Sequence, residues 1–313
     1  MTADEKAGRH GLEDAVAEST HDWLALARGS LDRVGERRRD DAWLAKAWAD
    51  QRSRVLVIDK GNVLVHVRPE LVLLSPDEAP DGERYLLGVD TDEIAYFAVS
   101  APLPAIEGTE PAGLRQTGAQ LSDRDAGLLT QAVGLQNWHE THTHCPRCGA
   151  RTVAASAGHT RICTADGSEH FPRTDPAVIM LVHDDERILL ARSAAWPARR
   201  VSILAGFVEP GESLEQAVAR EVKEEVGIEV HDCRYLGSQP WPLPRSLMLG
   251  FFARAYDGQD LRVDGEEIKS ARWYTRAELL AALESGELLL PGRISIARQL
   301  IERWYGDELS GDW

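Results

Sequence analysis

The sequence predicts an α/β protein of two domains with a small insert. Three observations carry this. The chain has 313 residues, a length that suggests two domains. Its first half is dominated by short apolar runs separated by turn residues. Its second half alternates such runs with segments whose apolar residues recur at helical spacing. Hydrophobic residues make up 43% of the chain, which allows a sizeable core.

Taken in order, residues 1–22 are polar and acidic and read as a flexible tail. Between 21 and 50, WLALA and AWLAKAWA have apolar spacing suited to helix, and GERRRDD reads as an exposed charged turn. The runs 54–59, 63–67, 71–75, 85–89 and 94–100 form a meander of strands without a catalytic constellation. His66 there reads as a strand surface residue. Residues 121–142 read as a helix that Ser122 or Asp123 can cap, with Leu128, Leu129, Ala132, Leu135 and Trp138 on its buried side. The N-terminal domain is thus expected over 23–140, a ribbon-like segment over 141–172 and a second domain over 173–313. In the last, strands are expected at 177–182, 188–191, 203–208, 230–236, 247–255 and 268–274. Helices are expected at 278–283 and 294–305.

The chemistry concentrates in 206–228, GFVEPGESLEQAVAREVKEEVGI. Leu214, Ala217, Val218, Val222 and Val226 make an apolar helical stripe. Ser213 can cap the start and Gly227 can supply the left-handed residue that ends it. Glu221, Glu224 and Glu225 fall at i, i+3 and i+4 and share one face, where three like charges repel. Hard divalent cations such as Mg²⁺ or Mn²⁺ remove that penalty because they favour carboxylate oxygens. A solvated acidic face is the bland alternative. The glycine-bounded loop, Glu212 and Arg220 weigh against it, since Arg220 can hold a carboxylate bidentately.

A second constellation lies in His144-Cys145-Pro146-Arg147-Cys148-Gly149, with Cys163 after fourteen intervening residues. CPxCG is a tight knuckle, and the spacing suits a zinc ribbon. No fourth cysteine follows nearby. His170 is the expected fourth Zn²⁺ ligand beside Cys145, Cys148 and Cys163, with Asp166, His159 and His144 behind it. A degenerate ribbon without zinc and a redox CxxC are the alternatives, the latter without a thioredoxin-like βαβ context. Cys233 reads as a small buried hydrophobe on a strand.

The stretch Gly206, five residues, Glu212, seven residues and then REVKEEVGI at 220–228 fills every fixed position of the Nudix box. The chain therefore resembles the Nudix hydrolases, which cut a diphosphate linked to another moiety. Ten residues beyond the box stands Ser238-Gln239-Pro240-Trp241-Pro242-Leu243-Pro244-Arg245-Ser246. Its prolines fix the backbone and let a tryptophan present a flat face. It is similar to the SQPWPFPxS signature of the NADH pyrophosphatase subfamily, with Leu243 in place of phenylalanine. The wider order agrees from about residue 24 to 305.

This resemblance implies a C-terminal α/β/α sandwich, a diverged Nudix-like N-terminal α+β domain, a zinc ribbon between them and a homodimer. The implied reaction is NAD(H) plus water giving nicotinamide mononucleotide and AMP, with removal of the NAD cap from RNA 5′ ends as a related activity. Metal ligands by resemblance are Glu221, Glu225, Glu267 and the carbonyl of Ala205, with Glu266 competing with Glu267. Glu224 or a neighbour orients or deprotonates water. Phe171, Gln239–Ser246 and Ala297 are the implied substrate contacts.

Composition sets the outer bounds. The chain carries 51 acidic and 35 basic residues, a net charge of −16. That argues against broad electrostatic binding to nucleic acid or to an anionic membrane. The N-terminus lacks the apolar core of a signal peptide, and no apolar run approaches the roughly 18 residues of a membrane span. A cytoplasmic protein is expected, with reduced cysteines. ADP-ribose or a diadenosine polyphosphate is the alternative substrate. A non-catalytic nucleotide sensor would have lost the box glutamates, and a nucleic-acid module would carry a basic aromatic cluster.

Overall fold

The computed structural model describes residues 24–313, so the expectation for 1–22 lies outside the described residues. The chain forms two compact units. One comprises Arg28–Thr174 with Pro240–Ser246; the other comprises 24–27, Asp175–Gln239 and Leu247–Trp313.

In the first unit, a 3₁₀ turn at Gly35–Arg39 precedes helix α1 (Asp41–Ala49), whose first turn is capped by the Asp40 carboxylate accepting from Trp43 N at 2.9 Å. Strands β1 (Arg54–Ile58), β2 (Asn62–His66), β3 (Leu73–Leu74), β4 (Glu83–Val89) and β5 (Ala95–Ser100) follow the expected runs. Four of them form a sheet in the order β3-β1-β5-β4, with β1 and β5 parallel. Strand β2 pairs instead with β6 (Thr109–Gly113), which the sequence did not announce. The reason is compositional: TEPAG buries only Ala112, and its backbone pairing carries the strand. A short helix α2 (Leu114–Thr117) leads to α3 (Asp123–Thr141), capped by Ser122 as expected. The ribbon follows as three strands, β7 (Thr152–Ala155), β8 (Thr160–Cys163) and β9 (Glu169–His170).

The expected helix over WLALA is absent from its described part. Residues 24–27 make a turn closed by Ala27 N donating to Leu24 O. Leu24 is fully buried in the core of the second unit, so tertiary burial outweighs local helical spacing.

The second unit contains β10 (Asp175–His183), β11 (Arg187–Ser193), β12 (Leu204–Phe207), helix α4 (Leu214–Val226), β13 (Val230–Trp241), β14 (Ser246–Ala255), β15 (Ile268–Thr275), α5 (Arg276–Glu284) and α6 (Ile296–Tyr305). Its sheet runs β13-β14-β10-β11-β15, with β12 added to β10. Alternation along the central strands builds two cores. Ile179, Leu181, Ile188 and Leu190 face the core that takes Leu279, Leu300 and Ile301 from α5 and α6. Val178, Met180, Val182 and Leu189 face the other core, with Ala217, Val218, Val222 and Val226 from α4. The result is helices on both faces of a six-stranded sheet, as the sequence implied. Among the described residues, no helix is long and apolar enough to cross a membrane.

Candidate active site

Helix α4 begins and ends as its residues dictate. Ser213 and Gln216 cap each other reciprocally, and Gly227 closes the helix at φ 72°. The apolar stripe is buried against the sheet, which aims the carboxylates at the edge of β12. Antiparallel pairing of Ala205 with Ile179 and Gly206 with Val178 fixes β12 beside the helix. A Cβ on Gly206 would overlap the Glu221 carboxylate, so the first glycine of the box exists to let that side chain lie on the strand backbone.

Arg220 organises the acids. Its guanidinium spans both Glu212 oxygens, with Nε at 3.1 Å and Nη2 at 2.6 Å. Nη1 reaches Glu221 at 2.8 Å and Glu224 at 3.1 Å, and Nη2 also donates to Phe207 O at 2.9 Å. Five contacts use the full fork of donors. Glu212 also accepts from Glu209 N at 2.7 Å, which ties the loop to the helix. Bonding to Arg220, then to the Glu209 amide, holds the Glu212 carboxyl below its usual range.

Glu225 sits differently. It is 5% exposed, and its Oε2 has no hydrogen-bond partner. Burial, then the charges of Glu221, Glu267, Asp264 and Glu224, push its carboxyl up to about 8. Burial also raises Glu221, against the pull of Arg220 and with the push of Glu224 and Glu267. Both glutamates feel Glu267. The Glu267 segment is held by Asp264, whose carboxylate accepts from Glu267 N and Ile268 N, and by Ala194 N donating to Glu267 O at 2.8 Å. A buried carboxyl group with an unpaired oxygen, repelled by four acidic neighbours, fits a divalent cation.

The residues expected to touch substrate divide. Gln239 is fully buried; its Nε2 donates to Ile294 O at 2.9 Å and its Oε1 accepts from Leu26 N at 3.3 Å. Its side chain is thus bonded within the fold at both ends of the amide. Ala297 is likewise buried, at 1% exposure, in α6. The segment Pro240–Ser246 belongs to the other unit. There Asn137 Nδ2 donates to Pro242 O at 2.8 Å and Pro244 O at 3.2 Å, and Arg115 lies 5.0 Å over the Trp241 ring. Leu243–Pro244 is a cis peptide. A cavity of about 90 Å³ lined by Asn137, Trp138, Glu140, Thr141, Pro244 and Arg245 adjoins the segment. Phe171 is 62% exposed in the same unit, and Phe207 of the box is 60% exposed in its own.

The ribbon brings Cys145, Cys148, Cys163 and Asp166 together, with ligand atoms all within 4.8 Å of one another. The amides of Arg147 and Cys148 and the Ser168 hydroxyl outweigh burial and hold the Cys145 thiol down to about 6. His170 is not in this group: it lies on β9 opposite Arg161, with Nε2 3.2 Å from Ser168 Oγ. His159, the other histidine weighed, bonds Leu86 O at 2.7 Å.

Comparison with known proteins agrees with this geometry along the chain. The NADH pyrophosphatase-like rudimentary NUDIX domain matches residues 49–138, the NADH pyrophosphatase zinc ribbon domain 140–171 and the NUDIX domain 173–290. The chain belongs to the Nudix hydrolases of the NADH pyrophosphatase type. This Nudix chain is 44% identical over 299 residues to the NAD-capped RNA hydrolase NudC of Mycobacterium bovis (strain BCG / Pasteur 1173P2), covering 89% of this chain and 94% of that one. It is 39% identical over 274 residues to the NAD-capped RNA hydrolase NudC of Stutzerimonas stutzeri, covering 86% and 93%. The NAD-capped RNA hydrolase NUDT12 of Macaca fascicularis is 36% identical over 253 residues, with 73% of this chain and 52% of that protein covered.

Proposed function

We propose that this Nudix enzyme hydrolyses the diphosphate of NAD(H) to nicotinamide mononucleotide and AMP, and removes the NAD cap from RNA 5′ ends. The observation that carries the reading is the unpartnered Glu225 oxygen, buried beside Glu221 and within the field of Glu267. Glu221, Glu225, Glu267 and the Ala205 carbonyl would hold Mg²⁺ or Mn²⁺. When bound, the cation neutralises the diphosphate and makes water more acidic.

The chain's own groups do the rest. Arg220 makes one contact to each of Glu221 and Glu224, but the Glu221 side chain is 14% exposed and that of Glu224 61%. Glu224 is thus placed to accept a proton from the attacking water or to orient it. Glu212 keeps Arg220 in place and so sets the spacing of the acids. Phe171 and the segment Pro240–Ser246 hold the dinucleotide through flat faces and the Arg245 charge, in line with the subfamily signature. We place this activity in the cytosol, where thiols such as those of the ribbon stay reduced, and in a homodimer, as the subfamily resemblance implies.

The test is hydrolysis of NADH, NAD⁺, ADP-ribose and NAD-capped RNA side by side, with Mg²⁺, with Mn²⁺ and with chelator, products being separated by chromatography. Metal-dependent release of nicotinamide mononucleotide from NAD(H) or capped RNA, with ADP-ribose cut poorly, is expected. Preference for ADP-ribose would keep the diphosphatase chemistry and overturn the role given to Pro240–Ser246.

A further inference from the structure

The ribbon contains the same backbone turn twice. In the first, Cys145 N donates to Ala150 O at 2.7 Å and Gly149 N donates back to Cys145 O at 2.9 Å. In the second, Cys163 N donates to Ser168 O at 2.9 Å and Gly167 N donates back to Cys163 O at 3.1 Å. The offsets are identical, five residues forward and four back. Both turns place glycine at the fifth position with positive φ, 75° at Gly149 and 70° at Gly167. Only there does the left-handed backbone demand it.

Position by position, Cys145-Pro146-Arg147-Cys148-Gly149 therefore corresponds to Cys163-Thr164-Ala165-Asp166-Gly167. Asp166 stands where the first turn has Cys148. We propose that Asp166 is the fourth zinc ligand, completing a site of three thiolates and one carboxylate. This rests on the ribbon holding zinc at all, and the test below separates the two claims.

Three further observations agree. The ligand atoms of Cys145, Cys148, Cys163 and Asp166 lie within 4.8 Å of one another, as four donors around one ion must. Cys148 Sγ and Cys163 Sγ are 3.5 Å apart. Ser168 steadies the carboxylate, donating to Asp166 Oδ1 from Oγ at 2.6 Å and from N at 2.9 Å, and its Oγ lies 3.6 Å from Cys145 Sγ. Such an outer partner orients a ligand. His170 lies beyond the second turn, on the pairing strand.

A carboxylate is a harder ligand than a thiolate and leaves a soft site less tightly closed. Cys148 and Asp166 are also the exposed half of the set, while Cys145 and Cys163 are buried. The site should thus release zinc faster than the same ribbon with four thiolates.

The experiment uses the full chain as purified, with Asp166→Ala, Asp166→Cys and His170→Ala. Zinc per chain is measured by mass spectrometry, zinc release by competition with a chromogenic chelator, and thiolate count by the charge-transfer absorption of the Co²⁺-substituted protein. One zinc per wild-type chain is expected, with release at least about tenfold faster in Asp166→Ala. Asp166→Cys should release zinc more slowly than wild type and raise the Co²⁺ charge-transfer band by about a third, in the ratio of four thiolates to three. That gain cannot come from misfolding. His170→Ala should match wild type. Loss of zinc in His170→Ala with retention in Asp166→Ala would overturn the ligand assignment, as would a Co²⁺ band unchanged by Asp166→Cys. A wild-type chain that takes up neither zinc nor Co²⁺ would overturn the zinc site itself.

Discussion

Helices α3 and α4 both bury polar side chains, and they treat them in opposite ways. Helix α3, in the rudimentary Nudix unit, buries Asp125, Gln136 and His139. Each is spent. Asp125 accepts from Arg124 Nε and Leu71 N. Gln136 accepts from Gly61 N and donates to Ile58 O and Ser100 Oγ. His139 bonds Gly158 O at 2.8 Å through one ring nitrogen and Arg161 at 2.6 Å through the other. Burial lowers its pKa, and because the Arg161 guanidinium can only donate, Nδ1 accepts and Nε2 donates to Gly158 O. Helix α4, in the catalytic unit, buries Glu225 with an oxygen that nothing satisfies. An orphaned neutral donor, such as the Trp138 indole on α3, costs far less than an orphaned carboxylate with like charges around it. The comparison teaches that the unspent ionisable group marks chemistry and the satisfied groups mark architecture.

Changes on α4 and its strand should therefore disable turnover, and changes on α3 should disable the fold. Outside Glu225 itself, the largest effect is expected from Gly206→Ala. The new methyl would displace the Glu221 carboxylate, lowering kcat about a hundredfold, measurable as Mn²⁺-dependent NADH hydrolysis with little change in melting temperature. Arg220→Lys keeps the charge but cannot span Glu212, Glu221 and Glu224 together; kcat/KM should fall roughly tenfold, with weaker Mn²⁺ binding by titration calorimetry. Gln136→Leu leaves Gly61 N without its partner and takes from Ile58 O one of its two donors, Ala101 N remaining. It should cost about 1–3 kcal/mol in denaturant unfolding while the folded enzyme keeps its kcat.

The smallest contrast is in pH. The metal-free folded protein holds a proton on Glu225 up to about 8, whereas the unfolded chain releases it near the usual 4.5. The folded state thus binds more protons between these values, and this contribution to stability is full below about 4.5 and lost as pH rises through about 8. Melting of the chelated protein should fall over that window, and Mn²⁺ should restore it at the alkaline end.

Much of this was legible in the sequence because α4 is specified locally. Its cap, stripe, terminal glycine and acidic face all fall within 213–227, and each formed as spacing dictates. Strand β6 and the turn at Leu24 were not legible, because both depend on partners distant in sequence. The side-chain bonds of Gln239 were not legible for the same reason: its partners Leu26 and Ile294 are far away along the chain. The ligand proposed above, Asp166, was within reach. The repeat of Cys-x-x-Cys-Gly as Cys-x-x-Asp-Gly is visible in the sequence, but a search for a fourth soft ligand favours histidine over the aspartate that the second turn presents.

The most direct test of the central claim is release of nicotinamide mononucleotide from NADH by Glu225→Gln at saturating Mn²⁺, with the melting temperature recorded in parallel. The expected result is a folded, thermally stable protein with turnover lowered about a hundredfold or more, since the amide keeps the shape but not the charge. A folded Glu225→Gln protein that turns over NADH at the wild-type rate would contradict the account.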